Sequence, residues 1–218
     1  MIGLAVTGHL VSRAIPMAPA IAPDLKINPN LIAESLHVLG MVRHNPVVRR
    51  AVFGVSWFWF VGTLLSAQLP NYAKLHLGGS ESLNLLALAL FSIGTGLGSL
   101  WCEKLSQRTV EIGLVPFGAL GITVFCADLY FARPGLAPET GITLSQFWQQ
   151  AGSFRIMADL TLIGLFAGFF IVPLFAYIQF TAPDSEKGRV LSTVGVINGF
   201  FLVLGSLLYR VMSVDLTW

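Results

Sequence analysis

The sequence predicts an all-α membrane protein whose core is a bundle of about five transmembrane helices. Hydrophobic residues make up 55% of the 218 residues and charged residues only 11%, against roughly 45–50% and about 25% in soluble domains. The mean hydropathy of +0.74 agrees with this composition. The apolar residues also form blocks of about 20, the length that an α-helix needs to cross about 30 Å of hydrocarbon. A soluble globular fold is excluded, because so few charges could not cover its surface.

Five blocks have the required length, and each is bounded by a polar or charged stretch. Their continuous apolar composition, without alternation of apolar and polar residues, excludes a transmembrane β-barrel. Their glycines and prolines are compatible with helix, because neighbouring helices in a membrane can satisfy freed backbone groups. The predicted spans are residues 51–72, 82–101, 112–132, 156–180 and 190–212.

The two ends of the chain do not complete a further span. Residues 1–11 are apolar but too short to cross a bilayer, and they lack the basic start and cleavage site of a signal peptide. We interpret them as the end of a truncated transmembrane helix. Residues 213–218 form a short tail after the fifth span. The sequence is therefore expected to be a piece of a longer membrane protein.

Residues 12–50 are the only long polar stretch before a span, and they are predicted to form a cytoplasmic loop with an amphipathic helix. Four prolines exclude regular helix from the first half of the loop. Asn28 and Pro29 then have the chemistry of a helix start, and apolar residues recur at helical spacing until Pro46. Such a helix could lie on the membrane surface. A solvated connector with incidental periodicity is the alternative.

Basic residues near the helix ends predict the orientation, because cytoplasmic loops retain Lys and Arg. Residues 12–50 and the loops near 103–111 and 183–189 hold 9 of the 13 basic residues. These segments are predicted to face the cytoplasm. The net charge of +2 is then a signal of topology, and it does not indicate a nucleic-acid partner.

Three stretches of the sequence resemble transporters of the major facilitator superfamily. They read SWFWFVGTLLSAQLPNYAK at residues 56–74, FSIGTGLGSLWCEKLSQRTVEIGLVPFGALG at 91–121, and GLFAGFFIVPLFAYIQFTAP at 164–183. More narrowly they are similar to the lysophospholipid-transporter branch, including bacterial forms fused to a phospholipid acyltransferase. The resemblance implies a partial facilitator-type fold in which the spans are helices seven to eleven. The N-terminal half and the final helix of the same protein would then be missing.

The resemblance also implies a secondary transporter in the bacterial inner membrane, which moves lysophospholipid or a related amphipathic lipid by alternating access. An alternative remains open, in which the chain is a non-transporting anchor or substrate-delivery domain for a fused or associated acyltransferase. An enzyme active site is not expected, because no nucleophile elbow, phosphate loop or acyltransferase signature occurs. The four histidines show no metal-ligand spacing. We therefore predict membrane lipids as partners and no cofactor.

Charged residues after the second span are candidates for gating. Glu103, Lys104 and Arg108 resemble the cytoplasmic facilitator motif, in which a carboxylate at a helix end pairs with groups on a neighbouring helix. The resemblance implies that these contacts break when the bundle rocks. Charges at a helix end can alternatively be simple interfacial anchors.

Polar side chains inside the spans are candidates for a transport path, because their desolvation must be compensated by a partner or by water. Asn198 lies near the middle of the fifth span and is predicted to face a cavity. The other candidate substrate-binding residues, which lie nearer a helix end, are Gln68, Asn71 and Gln179.

Three charged residues fall toward the outer ends of the third and fourth spans. Asp128 lies in the third span, and Arg155 precedes Asp159 by one helical turn at the start of the fourth. An interfacial ion pair of Arg155 with Asp159 is one interpretation. An extracellular gate or a coupling-ion site is the other.

Glycines at helical spacing predict close packing of three spans. The glycines with this spacing are Gly94, Gly96 and Gly98, then Gly164 and Gly168, and then Gly195 and Gly199.

Overall fold

Seven helices and no β-strand are found in the part of the chain that the computed structural model describes, which is residues 2–14, 40, 46–75, 81–106, 109–132, 142–150, 152–184 and 187–215. The helices are α1 (Ile2–Arg13), α2 (Pro46–Leu75), α3 (Glu81–Leu105), α4 (Leu114–Phe131), α5 (Leu144–Gln149), α6 (Ser153–Thr181) and α7 (Lys187–Asp215). The predicted amphipathic helix from Asn28, and the gating candidate Arg108, lie outside the described residues.

Five helices, α2, α3, α4, α6 and α7, are long and apolar enough to cross a membrane. This finding confirms the predicted all-α bundle of a multi-pass membrane protein. The helix α2 begins at Pro46, where proline suits the first turn because its missing N–H has no intrahelical partner there. Arg49 and Arg50 therefore belong to α2, whereas the sequence placed them in the preceding loop. The short helix α1 has exposed side chains, including Val6, Leu10 and Val11.

The bundle has two ends, which we name after α2. The Leu75 end contains the end of α2, the start of α3, the end of α4 and the start of α6, and the Pro46 end contains the opposite termini of these helices. Each end has its own apolar core. Val52, Val55 and Ile178 are buried at the Pro46 end, and Leu83 and Ile156 are buried at the Leu75 end.

Helix α6 is the centre of the bundle, and it packs against α2, α3, α4, α5 and α7. Half of its apolar span is buried within the protein, compared with 11% to 28% for the other four spans. Pro173 is buried inside α6, and the helix continues past it to Thr181. Proline is tolerated here because neighbouring helices can satisfy the backbone group that it frees.

Glycines bring the backbones of α3 and α6 into direct contact. A methyl group added at Gly94 or Gly98 would lie closer than 3 Å to the α6 backbone, and one added at Gly164 or Gly168 would lie as close to the α3 backbone. These four positions confirm the predicted close packing. Gly96 is not in the contact, because its added methyl group would meet no atom within 4 Å.

The packing predicted for Gly195 and Gly199 is wrong. A methyl group at either position would meet no atom within 4 Å. Gly205 is the glycine of α7 that approaches α2, where an added methyl group would lie 3.1 Å from the Phe60 carbonyl oxygen. The spacing alone could not distinguish the two faces of this helix.

A short helix, α5, lies within the segment that the sequence placed in a loop. The Thr143 backbone N–H donates to the Gln146 side chain at 2.8 Å, as in a capping box. Phe147 is 2% exposed and packs in the core of the Leu75 end. The helix therefore packs against α6 at this end of the bundle.

We predict that Gly98→Ala lowers the stability of the protein, because the new methyl group would meet the Leu165 backbone, which cannot rotate away. The expected cost is about 1–3 kcal/mol, typical of overpacking. Gly96→Ala is the matched control, since its methyl group meets open space and alanine is the better helix former. Thermal unfolding in detergent, followed by circular dichroism, measures both. Equal midpoints for the two variants would contradict the packing.

Candidate functional site

A pocket of about 140 Å³ lies between α2, α3, α4 and α6, in the half of the bundle nearer the Leu75 end. We call it the central pocket. Its lining is mostly apolar and consists of Leu65, Ser66, Gln68, Leu69, Tyr72, Phe91, Leu129, Leu160 and Ile163. Four of these residues recur on α2 at the spacing i, i+3, i+4 and i+7, which places them on one helix face. This spacing is visible in the sequence and indicates a shared helix face, but the sequence analysis did not use it.

Gln68 is the candidate substrate-binding residue that the structure places in the central pocket. It shares the pocket with Tyr72, whose hydroxyl lies 3.5 Å from the carbonyl oxygen of Leu129 on α4. Sequence reasoning missed Tyr72, although its position one turn after Gln68 indicates a shared face. The pocket therefore combines an apolar wall with three polar side chains from α2, those of Ser66, Gln68 and Tyr72.

Asn198 lies in a helix interface, whereas the sequence analysis expected it to face a cavity. The Ser56 hydroxyl on α2 donates to the Asn198 Oδ1 on α7 at 2.8 Å. Both residues are buried, with 0% and 8% exposure. Burial without a partner would be costly in a membrane, and this hydrogen bond compensates it. Asn198 therefore joins α2 to α7, and Ser56 is the partner that sequence reasoning missed.

The other two candidate substrate-binding residues also lie outside the central pocket. Asn71 is exposed, and its Nδ2 donates to the Tyr209 hydroxyl at 2.9 Å. This is a second hydrogen bond between α2 and α7, at the Leu75 end. Gln179 is exposed near the other end of α6, about 24 Å along the helix axis from the pocket residue Ile163 at 1.5 Å per residue.

Arg155 and Asp128 form an ion pair between α6 and α4. The Nε of Arg155 donates to Oδ2 of Asp128 at 2.9 Å, and Nη2 donates to Oδ1 at 2.5 Å. Their side chains are partly exposed, at 52% and 38%. The interpretation of an ion pair between Arg155 and Asp159 is therefore wrong, because Asp128 holds both arms of the guanidinium. The two-pronged geometry fixes α4 against α6 at the Leu75 end.

Asp159 is buried beside this ion pair. The residue is 2% exposed, and its Oδ2 has no hydrogen-bond partner among the described residues. It interacts electrostatically with Asp128 on α4, with Arg155 on its own helix and with Tyr72 on α2. Since Tyr72 lines the central pocket and interacts with Asp159, the charged residues and the pocket adjoin. We call Asp128, Arg155 and Asp159 the charge cluster.

The gating candidates lie at the opposite end of the bundle. Glu103 and Lys104 are exposed in the last turn of α3, and neither forms an ion pair with another described residue. At the same end of the bundle, Lys187 pairs with Asp184 at 2.6 Å. This hydrogen bond and the positive charge hold the pKa of Asp184 below its usual range.

A second opening, the aromatic cleft, lies between α2 and α4. It has a volume of about 170 Å³ and is lined by Trp57, Phe58, Val61, Ala119, Ile122, Thr123 and Phe170. Phe58 stacks on Phe170 of α6 at a ring-centre distance of 5.9 Å. Trp57 is 48% exposed, so its ring can contact lipid chains beside the bundle.

We predict that Ser56 and Asn198 are energetically coupled. Ser56→Ala and Asn198→Ala should each destabilise the protein, and the double variant should be less destabilised than the sum, by about 0.6–2 kcal/mol. The cycle is measured by unfolding in mixed detergent micelles. Asn71→Ala with Tyr209→Phe is the matched cycle at an exposed site, where the coupling should be smaller. If the losses of unfolding free energy from Ser56→Ala and Asn198→Ala were additive, the assigned hydrogen bond would be contradicted.

The chain is similar in sequence to a named transporter. It is 29% identical over 208 residues to the lysophospholipid transporter LplT of Citrobacter koseri, and the alignment covers 88% of this chain and 45% of that protein. The chain therefore spans about half the length of this relative. No family profile matches the chain, and no solved structure matches it. The five membrane-spanning helices and this similarity together describe a multi-pass membrane protein that is similar to a transporter.

Proposed function

We propose that the protein is part of a secondary transporter of the major facilitator type, which moves lysophospholipid or a related amphipathic lipid across the bacterial inner membrane by alternating access. The observation that carries this proposal is the similarity to a lysophospholipid transporter over 88% of the chain. The central pocket supports it, because a ligand with one acyl chain needs an apolar wall with few polar groups.

The lining of the central pocket fits a segment of an acyl chain. Leu65, Leu69, Phe91 and Ile163 supply the apolar wall, and each methylene group buried there contributes about 0.8 kcal/mol. Gln68 supplies hydrogen-bonding groups on the same wall. The charge cluster adjoins the pocket at the Leu75 end, where the polar part of an amphipathic ligand would lie.

The central pocket lies between two groups of helices, and contacts within each group hold its members together. Glycine contacts hold α3 and α4 against α6. Two hydrogen bonds, Ser56 with Asn198 and Asn71 with Tyr209, hold α2 against α7. The pocket has α2 on one side and α3, α4 and α6 on the other.

We predict that Leu69→Trp inhibits transport, because the larger ring would fill the central pocket. A loss of about 1.4 kcal/mol in the binding free energy of the lipid weakens its affinity tenfold. Uptake should therefore fall about tenfold or more. The assay is uptake of radiolabelled lysophosphatidylethanolamine into proteoliposomes that contain the whole product of the gene. Leu85→Trp is the matched control, because Leu85 is 59% exposed on the outside of the bundle.

The outcomes separate the possible roles. No uptake above empty liposomes, with the protein folded, would contradict lipid transport. If the same preparation instead stimulated lysophospholipid acylation by an added acyltransferase, the result would favour the substrate-delivery role over transport. Uptake that Leu69→Trp leaves unchanged would contradict the assignment of the central pocket.

A further inference from the structure

We propose that two arginines and a row of aromatic rings at the Pro46 end of α2 form a binding site for an anionic phospholipid of the surrounding bilayer. Arg49 and Arg50 bind the phosphate group of this lipid, and the rings that follow them along α2 contact its acyl chains. The site lies on the outside of the bundle, and its residues are not those that line the central pocket. The inference therefore does not depend on the proposed function.

The first observation is a pair of exposed arginines without a carboxylate partner. Arg49 and Arg50 lie in the first two turns of α2, and both are exposed. Neither forms an ion pair with another described residue. A guanidinium group binds phosphate through two parallel hydrogen bonds. The two side chains therefore have the chemistry of a phosphate site.

Helix α7 adds positive potential beside these arginines. It packs against α2, and its residue Val190 shares one buried core with Val48 and Val52. Both helices therefore have their N-termini, which carry a partial positive charge, at this end of the bundle. Neither helix has an acidic residue in its first turn, and Asp184 before α7 is paired with Lys187. The charge is complementary to an anion that the bilayer supplies.

Aromatic rings continue from the arginines along one face of α2. Phe53 stacks on Trp57 at a ring-centre distance of 6.4 Å, and Trp57 stacks on Phe60 at 5.1 Å. Arg50 precedes Phe53 by three residues and Arg49 precedes it by four, so the two guanidinium groups flank the face that carries the rings. Phosphate ligands and apolar contacts are therefore combined on one side of the helix.

The rings have the exposure and the reach that a lipid chain needs. Phe53 is 58% exposed, and Phe201 of α7 meets it edge-on at 5.9 Å. From Arg50 to Phe60 the distance along the axis is about 15 Å at 1.5 Å per residue. One leaflet contributes half of the hydrocarbon thickness, which is also about 15 Å. The rings therefore extend over the depth of the chains of a lipid whose headgroup lies at the arginines.

The charge of the headgroup is expected to decide which lipid binds. Trp57 also lines the aromatic cleft, so the two chains of a phospholipid have two adjoining apolar surfaces. However, lipid tails are as apolar as the side chains they contact, and a chain gains little by leaving other lipids for the protein. The arginines must therefore supply the selectivity. The site should prefer anionic phosphatidylglycerol to zwitterionic phosphatidylethanolamine.

Tryptophan fluorescence of the whole product of the gene, in nanodiscs that contain both lipids, tests this preference. Bromine atoms on the chains of a small and equal fraction of either lipid quench a tryptophan that they contact. We expect brominated phosphatidylglycerol to quench more strongly than brominated phosphatidylethanolamine. Since the chain has five tryptophans, the variant Trp57→Phe identifies the signal of Trp57, and it should lose most of the difference.

Substitution of the arginines should remove the preference. Arg49→Gln and Arg50→Gln should each lower it about fivefold, the effect of one basic residue beside anionic lipid, and the double variant should quench equally with both lipids. Lys104→Gln is the matched control. It removes one exposed positive charge at the same end of the bundle, on α3, and it should keep the preference.

Equal quenching by the two lipids in the wild-type protein would overturn the site. A preference that persists in the double arginine variant or in Trp57→Phe would also overturn it. If Lys104→Gln loses as much preference as Arg49→Gln, a diffuse surface charge replaces the site. If Trp57→Phe leaves all quenching unchanged, another helix or a second copy covers the rings, and no lipid binds there. Circular dichroism reports folding, and the single arginine variants decide if the double variant does not fold.

Discussion

The backbones of α3 and α6 touch at Gly94, Gly98, Gly164 and Gly168, and most other features of the bundle follow from this contact. Lipid tails are as apolar as leucine, so burial of apolar side chains does not by itself bring membrane helices together. Close packing and interhelical hydrogen bonds must do so, and glycine allows the closest packing. The contact places α6 at the centre of the protein and gives four other spans a common surface.

The central position of α6 explains why charged and apolar residues of the candidate site lie close together. The same helix supplies Arg155 and Asp159 to the charge cluster and Leu160 and Ile163 to the central pocket. A carboxylate on an outer helix face could meet headgroups or water, whereas Asp159 is enclosed by protein on the most buried helix. The same packing buries Asp159 beside the Arg155–Asp128 ion pair, where its charge must be compensated within the protein.

The sequence predicted the fold class and the number of spans because hydrophobic length is a local property. It also predicted the packing role of Gly164 and Gly168, but it could not show that Gly195 and Gly199 face open space. The partners of Asn198 and Arg155 were missed because they are Ser56, 142 positions away, and Asp128, 27 positions away. Such pairings depend on how the helices rotate against each other, which spacing within one helix does not determine. The short helix α5 was not predicted, because six residues are too few to show a helical periodicity.

Solid-state NMR of the protein in lipid bilayers, with glycine labelled at Cα with ¹³C, tests the central contact most directly. A methyl group added at Gly168 would lie 3.0 Å from the Cα of Gly98, so the two α-carbons are close neighbours across the α3–α6 interface. The account predicts a strong cross-peak between the Gly98 and Gly168 α-carbons at short mixing time. Absence of this cross-peak from a folded, helical sample would contradict the account, because α6 could not then be the helix around which the bundle packs.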